Sequence, residues 1–173
     1  MTNLLLEGLM RSALTESAPQ ADDAALAELA RRLDAVSRRR LGRSLAIREV
    51  DAGSCNGCEL EIHALNNAFY SLERFGIRFV ASPRHADVLL VTGPVTRNMQ
   101  EAVLRTYAAT PAPKWVVAVG DCAVDGGLFA GSYAVAGGIG QVLAVDLHIR
   151  GCPPSPAALL AGLVALLEKA AGR

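Results

Sequence analysis

Apolar positions from residue 45 onward alternate between strand-like runs and stretches with a helical period. Strand patterns occupy 45–50, 77–80, 88–93, 114–120 and 142–149, and the runs at 88–93 and 114–120 are continuous, as in strands buried on both faces. Helical patterns occupy 59–74, 97–109 and the segment that begins with Ser155 as N-cap and Pro156 as first helical residue. This alternation predicts an α/β domain with a doubly wound, mostly parallel sheet.

Residues 1–44 have a different pattern and are predicted to be an N-terminal helical arm, with the α/β domain over 45–173. Residues 22–41 have a strong helical period, with an acidic start and a basic end that complement the helix dipole. Residues 3–14 can form one or two amphipathic turns. The pattern leaves open whether this arm packs against a partner, a membrane surface or the main domain.

Charge and composition argue against a nucleic-acid-binding protein and against a membrane-spanning chain. Seventeen basic and seventeen acidic side chains give a net charge of zero, which argues against nucleic acid as the partner. The hydrophobic fraction of 51% is high for a soluble domain and favours buried subunit contacts. The longest apolar run, 157–167, is too short to cross a bilayer, and the arginines at 38–40 precede no signal-type apolar region. We therefore expect a cytoplasmic protein whose thiols stay reduced.

The four cysteines follow three of the predicted strands. Cys55 and Cys58 follow 45–50, Cys122 follows 114–120, and Cys152 follows 142–149. Because ligands bind outside the carboxyl ends of parallel strands, we expect all four thiols at one edge of the sheet. Four thiols there favour an iron–sulfur cluster, with structural zinc as the main alternative. A redox pair would explain only Cys55 and Cys58, and each cysteine alone could be a buried structural residue.

Five segments resemble one known family. They are "GSCNGCELEI", "ADVLLVTGPVTRNM", "KWVVAVGDCAVDGG", "GSYAVAGGI" and "VDLHIRGCPPSP". Together they are similar to the cluster-bearing small subunit that energy-converting nickel–iron hydrogenases share with NADH–quinone oxidoreductase (complex I). The resemblance covers about residues 46–168. The complex I members carry adjacent cysteines in the first motif, so "CNGCELEI" resembles the hydrogenase side, in particular subunit I of the formate hydrogenlyase and hydrogenase-four type.

The resemblance implies a flavodoxin-like core and a single 4Fe–4S cluster held by Cys55, Cys58, Cys122 and Cys152. It makes Glu59 and Glu61 candidates for proton transfer beside the cluster, although helix-dipole complementarity also explains an acidic first turn. It implies no catalytic metal on this chain, because nickel and iron, when present, belong to the large subunit.

The resulting hypothesis is an electron-transfer subunit of a nickel–iron hydrogenase-type, or hydrogenase-related, respiratory complex, peripheral on the cytoplasmic side of the cell membrane. We expect a large hydrogenase-like or complex I-like subunit and other iron–sulfur and membrane subunits as partners, and no stand-alone activity. The contact with the large subunit should bury the segments at 92–98, 120–127 and 152–156. The alternatives are a complex I-like donor to quinone and a zinc-stabilised scaffold without redox activity.

Overall fold

The computed structural model of the chain describes residues 23–75 and 77–171. The helical turns predicted for 3–14 lie outside the described residues. In chain order the helices and strands are α1 (Asp23–Leu41), β1 (Ala46–Asp51), α2 (Gly57–Ala64), β2 (Arg78–Phe79), β3 (Val88–Thr92), β4 (Val95–Thr96), α3 (Arg97–Ala109), β5 (Trp115–Val119), α4 (Asp121–Asp125), β6 (Val135–Gly137), β7 (Leu147–Ile149) and α5 (Pro156–Ala171).

The main sheet has the strand order β2-β1-β3-β5-β7, and each neighbouring pair of strands is parallel. This is the flavodoxin-like order, in which the chain reverses direction across the sheet between β1 and β3. A second, two-stranded sheet pairs β4 with β6 in antiparallel fashion beside the end of β3. The predicted fold class, an α/β fold with a mostly parallel sheet, is confirmed.

Helices cover both faces of the main sheet. Val88 and Leu90 of β3 belong to the core on one face, which α1, α2 and α5 complete. Leu89 and Val91 belong to the core on the other face, with Val103 of α3 and the buried residue of α4. Because successive side chains of a strand point to opposite faces, the continuous apolar run of β3 serves both cores.

Helix α1, which lies in the predicted N-terminal arm, packs against α5. Leu33 is fully buried in the same core as Leu163 and Leu167 of α5. At the surface of this contact, Arg32 Nε donates a hydrogen bond of 2.7 Å to Glu168 Oε1. The sequence left open whether the arm packs against a partner, a membrane surface or the main domain. Its described part, α1, packs against the main domain.

Two predicted elements are shorter than their patterns. The helix predicted for 59–74 ends at Ala64, because Asn67 Oδ1 instead accepts the backbone N–H groups of Phe69 and Tyr70 and forms a turn. The strand predicted for 142–149 is confined to Leu147–Ile149, and residues 142–146 form a turn and irregular chain after the 3-10 turn at Ile139–Gln141. The predicted helix start at 155–156 is correct, because Ser155 Oγ accepts the N–H of Ala158.

No helix in the described ranges combines the length and the apolar character needed to span a membrane.

Candidate metal centre

Cys55 and Cys58 lie on the loop between β1 and α2. Asp51, the last residue of β1, accepts hydrogen bonds at Oδ1 from the N–H groups of Gly53 and Ser54, each 2.7 Å long. This side-chain turn directs the chain sharply away from the strand. Cys55 is then exposed on the loop, whereas Cys58 lies in the first turn of α2 and packs against the core.

Cys122 and Cys152 lie on the loops after β5 and β7, which are neighbouring strands. The backbone N–H of Asp121 donates a hydrogen bond of 2.9 Å to the carbonyl oxygen of Gly151, so the two loops are joined one residue from each cysteine. Cys122 is half-buried in α4 and Cys152 is exposed. The predicted placement of all four thiols after parallel strands therefore corresponds to their positions in the structure.

The structure brings the four thiols into electrostatic reach of one another. Burial raises the pKa of Cys58 to about 12, and Glu59, Cys55, Cys122 and Cys152 add to the rise in that order. Each of the other thiolates is thus near enough to oppose ionisation of Cys58. Without a bound cation, a second or third negative charge in this space is unfavourable.

Cys122 is subject to the same effects and to one opposing hydrogen bond. Burial, and next the neighbouring Cys152, raise the pKa of the Cys122 thiol. The backbone N–H of Leu128 donates to Cys122 and lowers its pKa, because the bond stabilises the thiolate.

Two glycines leave room for the sulfur atoms. A Cβ atom on Gly120 would lie 2.5 Å from Cys58 Sγ, and a Cβ atom on Gly127 would lie 2.8 Å from Cys122 Sγ. Both glycines also have positive φ, +84° and +50°, which favours glycine on backbone grounds. A side chain at either position would displace a thiol.

Four thiols are a donor set that suits iron–sulfur clusters and zinc. Within 23–75 and 77–171, no three or more His, Cys, Asp or Glu residues are arranged to hold a single metal ion. The ligands of one zinc ion must converge to about 2.3 Å from its centre, whereas the ligands of a four-iron cluster surround a larger body. The thiolate donor set fits such a cluster, and the two glycines leave room for two of its sulfur ligands.

Glu59 and Glu61 differ in burial. Glu59 is 7% exposed, and both of its carboxylate oxygens are buried without a hydrogen-bond partner in the described part of the chain. Glu61 is only half-buried. Across from α2, burial followed by the charge of Glu59 raises the pKa of Glu49, which lines an open pocket of about 220 Å³ together with His63.

Exposed apolar side chains near the thiols form a feature that the sequence analysis missed. Leu60, two residues after Cys58, is 63% exposed, and Leu128 is 92% exposed. Phe129 and Tyr133 on the same loop as Leu128 are 45% and 91% exposed. The signal was available, since "GLFAGSY" places large apolar residues among glycines, outside any strand or helix pattern.

Part of the expected partner contact is covered by the chain itself. In the segment 92–98, the residues from Thr92 to Val95 are buried, and only Thr96 to Asn98 reach the surface. A Cβ atom on Gly93 would lie 2.5 Å from the backbone nitrogen of Ser54, so this segment packs under the first cysteine loop. Residues Thr92–Val95 are therefore buried against the loop that carries Cys55 and do not lie on the surface that a partner could contact.

Comparison with known proteins places most of the chain in one family. Residues 55–166 match the family model described as the 20 kDa subunit of NADH ubiquinone oxidoreductase. The chain is 46% identical over 129 residues to formate hydrogenlyase subunit 7 of Escherichia coli K12, which covers 75% of this chain and 51% of that protein. The chain thus spans about half the length of that relative.

Two further proteins are similar to this chain over a larger share of their own length. The probable membrane-bound hydrogenase subunit mbhJ of Pyrococcus furiosus is 47% identical over 131 residues, covering 76% of this chain and 78% of that protein. A chain of the membrane-bound sulfane sulfur reductase, an archaeal respiratory membrane complex, superposes with a TM-score of 0.65 and 36% identity. That superposition covers 79% of this chain and 74% of the other.

Proposed function

The chain belongs to the family of the 20 kDa subunit of NADH ubiquinone oxidoreductase, which includes membrane-bound hydrogenase subunits, and from this membership we propose that it is an electron-transfer subunit that holds one 4Fe–4S cluster. Cys55, Cys58, Cys122 and Cys152 are the proposed ligands. A cluster of this type accepts and donates single electrons.

The observation that carries the proposal is the mutual arrangement of the four thiols. They come from loops after β1, β5 and β7, yet each affects the ionisation of Cys58. The sulfur atoms of Cys58 and Cys122 lie beside Gly120 and Gly127, where the Cβ atom of any other residue would collide with them. Four thiolates in one space are stable only when they bind positive charge, as they do around iron.

A second set of observations supports action within a complex. Cys55 and Cys152 are exposed, and Leu60 and Leu128 expose large apolar side chains near the thiols. Exposed apolar groups of this kind are typical of protein contact sites. We propose that the large subunit of a hydrogenase-type respiratory complex covers this face, and that the chain is held peripherally at the cytoplasmic side of the membrane.

The hydrogenase-type complex is preferred to a complex I-like donor to quinone. Identity to two hydrogenase-type subunits is 46% and 47%. The two residues between Cys55 and Cys58 also resemble the first motif of the hydrogenase branch rather than the adjacent cysteines of complex I members.

Glu59 is the preferred candidate for moving a proton near the thiols. Its carboxylate is buried and has no hydrogen-bond partner among the described residues, so a water molecule or a group of a partner subunit is the kind of partner that it needs. Glu49, whose pKa is raised by burial and next by the charge of Glu59, lines an open pocket together with His63. Glu61 is half-buried and remains the weaker candidate.

Anaerobic purification of the full chain with metal analysis tests the proposal. We expect about four iron atoms per chain, a brown colour with absorbance near 400 nm that dithionite bleaches, and an electron paramagnetic resonance (EPR) signal from the reduced protein. Cys122→Ser should lose most of the iron, whereas Ser132→Ala, on the adjoining loop, should retain it. One tightly bound zinc and no iron would favour the scaffold alternative and overturn the proposal.

A further inference from the structure

The outer edge of β1 is only partly covered by a neighbouring strand. β2 pairs with Ala46 and Ile47 of β1, whereas β3 pairs with β1 from Ile47 to Asp51 on the other side. After Phe79 the chain leaves the edge of β1 and turns towards β3. Among the described residues, β1 therefore has a neighbouring strand on one side only from Arg48 onward.

The unpaired backbone groups of this edge follow from the alternation along a strand. The carbonyl oxygen of Ile47 accepts a hydrogen bond of 2.8 Å from the N–H of Val80, so the backbone of Ile47 faces the β2 side. Ala52 donates its N–H to Thr92 over 3.0 Å and faces the β3 side. Because the backbone groups of successive residues point to alternate sides of a strand, Glu49 faces the same side as Ile47. Its N–H and C=O groups therefore point to the open edge beyond the end of β2.

An open pocket of about 220 Å³ lies against this edge. β1 supplies Arg48 and Glu49 to its lining, α2 supplies His63, and residues 79–81 line it where β2 ends. The pocket thus gives access to the backbone of β1 at the position where a further strand would pair with it.

The two β1 side chains at the pocket carry opposite charges and lie on opposite faces of the sheet. Glu49 shares a face with Ile47, which belongs to the core beneath α2, and Arg48 shares a face with Val50 of the other core. Arg48 Nε is buried without a hydrogen-bond partner in the described part of the chain. Burial, and next the charge of Glu59, raise the pKa of Glu49, so a positive charge beside Glu49 would be favourable. A cation on one face and an acceptor on the other would complement the pocket.

We propose that an extended segment of a partner subunit binds at this edge as a sixth strand of the main sheet, with a basic side chain towards Glu49 and an adjacent acidic side chain towards Arg48. The inference rests on the proposed function, which implies partner subunits. Open strand edges bind extended peptides through main-chain hydrogen bonds, and contacts with alternate side chains give the specificity. Since successive side chains of a strand point to opposite faces, the two charges must be neighbours in the partner's sequence.

The position and charge of the edge favour a partner subunit over a second copy of this chain. Asp51 ends β1 four residues before Cys55, and α2, which lines the pocket, carries the exposed Leu60. The open edge is thus continuous with the face that we propose the large subunit covers. Glu49 and Asp51 share one face, so pairing of two copies at the open edge would bring acidic side chains together, which is destabilising.

Amide hydrogen exchange at residue resolution tests for the added strand. In the isolated full chain, Glu49 and Asp51 should exchange faster than Arg48 and Val50, whose N–H groups face β3. In the complex purified with its partner subunits, exchange at Glu49 and Asp51 should slow by roughly tenfold or more, because their N–H groups gain partners. Arg48 and Val50 should change much less.

Three outcomes of this measurement overturn the inference. The first is unchanged exchange of Glu49 in the complex. The second is slow exchange of Glu49 already in the isolated monomer, because another part of the chain then covers the edge. The third is slow exchange that appears only when the isolated chain dimerises, which assigns the edge to a second copy. A wild-type chain that never binds iron refutes the proposed function, but it does not alter this readout.

Charge variants test the chemistry of the partner segment. Glu49→Gln and Arg48→Gln should each raise the dissociation constant for the purified partner subunits by about 1.5- to 5-fold, as expected for loss of one cross-strand charge pair. Glu101→Gln, which removes an exposed charge from α3, should bind as wild type does. Guanidinium unfolding of the isolated variants shows whether each change is confined to binding. Wild-type affinity in both Glu49→Gln and Arg48→Gln would overturn the proposed pairing of charges.

Discussion

Replacing Gly120 by alanine should remove the cluster while leaving the fold largely intact. The added Cβ would lie 2.5 Å from Cys58 Sγ, about 1 Å closer than an ordinary contact of 3.4 Å. Gly120 also has φ +84°, which costs a non-glycine residue roughly 1–3 kcal/mol. Cys58 is held by the core and by the first turn of α2, so the sulfur cannot move away freely, and overpacking of this kind costs about 1–3 kcal/mol more.

Gly131→Ala is the matched control, because Gly131 has φ +80° and nothing within 4 Å of its added Cβ. The control should lose about 1–3 kcal/mol of unfolding free energy from backbone strain and bind iron as wild type does. Gly120→Ala should be destabilised by about 1–3 kcal/mol more than the control. Guanidinium unfolding of the cluster-free chains measures these differences, and iron per chain after anaerobic reconstitution measures the site. A Gly120→Ala protein with full iron content and the stability of the control would refute the role assigned to Gly120.

The ionisation of the Cys58 thiol and two substitutions test other parts of the structure. In the cluster-free chain at pH 8, Cys58 should react with iodoacetamide about 30- to 60-fold more slowly than a thiol of ordinary pKa, because the loss of thiolate outweighs its greater nucleophilicity. Since the unfolded chain releases this proton near pH 9 and the folded chain near pH 12, the cluster-free fold should lose stability as the pH rises through that interval. Leu33→Ala should cost about 2–5 kcal/mol, because Leu33 is fully buried between α1 and the core. Leu128→Glu should leave the isolated chain stable but reduce its co-purification with the large subunit.

Each of these has its own control. Peptide mass mapping should find the exposed Cys55 alkylated well before Cys58, and equal rates would contradict the burial of Cys58. Leu128→Ala, at a position 92% exposed, should change stability by less than about 0.5 kcal/mol, and a similarly small loss in Leu33→Ala would mean that α1 is not part of the cooperative fold. Unaltered co-purification of Leu128→Glu would place the partner contact elsewhere.

The sequence predicted the structure best where a local pattern of residues is enough to determine a buried strand or the start of a helix. The continuous apolar runs of β3 and β5 are strands buried on both faces, and Ser155 begins α5 as predicted. The placement of the four cysteines on loops after β1, β5 and β7 was predicted from their positions directly after strand patterns, because parallel strands end at a common edge.

Features that depend on distant contacts were not predictable. The helical period of 59–74 continues past Ala64, but the Asn67 side chain competes for backbone N–H groups and ends α2 early. The full burial of the Glu59 carboxylate depends on how α2 packs, and a charged residue in a first helical turn is ordinarily solvated. The contact from Arg150 to Asp125 joins residues 25 positions apart, and neither residue has a local pattern that marks it.

The order of the strands also bears on how the protein is made. Cys55 and Cys58 follow β1, but the fourth thiol follows β7, which within the described residues lies at the edge of the main sheet and pairs with β5. Because β7 is synthesised after β1 and β5, a nascent chain that already contains three thiols cannot enclose a cofactor until β7 pairs with β5. The cofactor should thus bind after β7 has been synthesised and has paired with β5. A cofactor held by the loops after β1, β5 and β7 would then raise the free energy of unfolding, because it binds only when these three strands are in place.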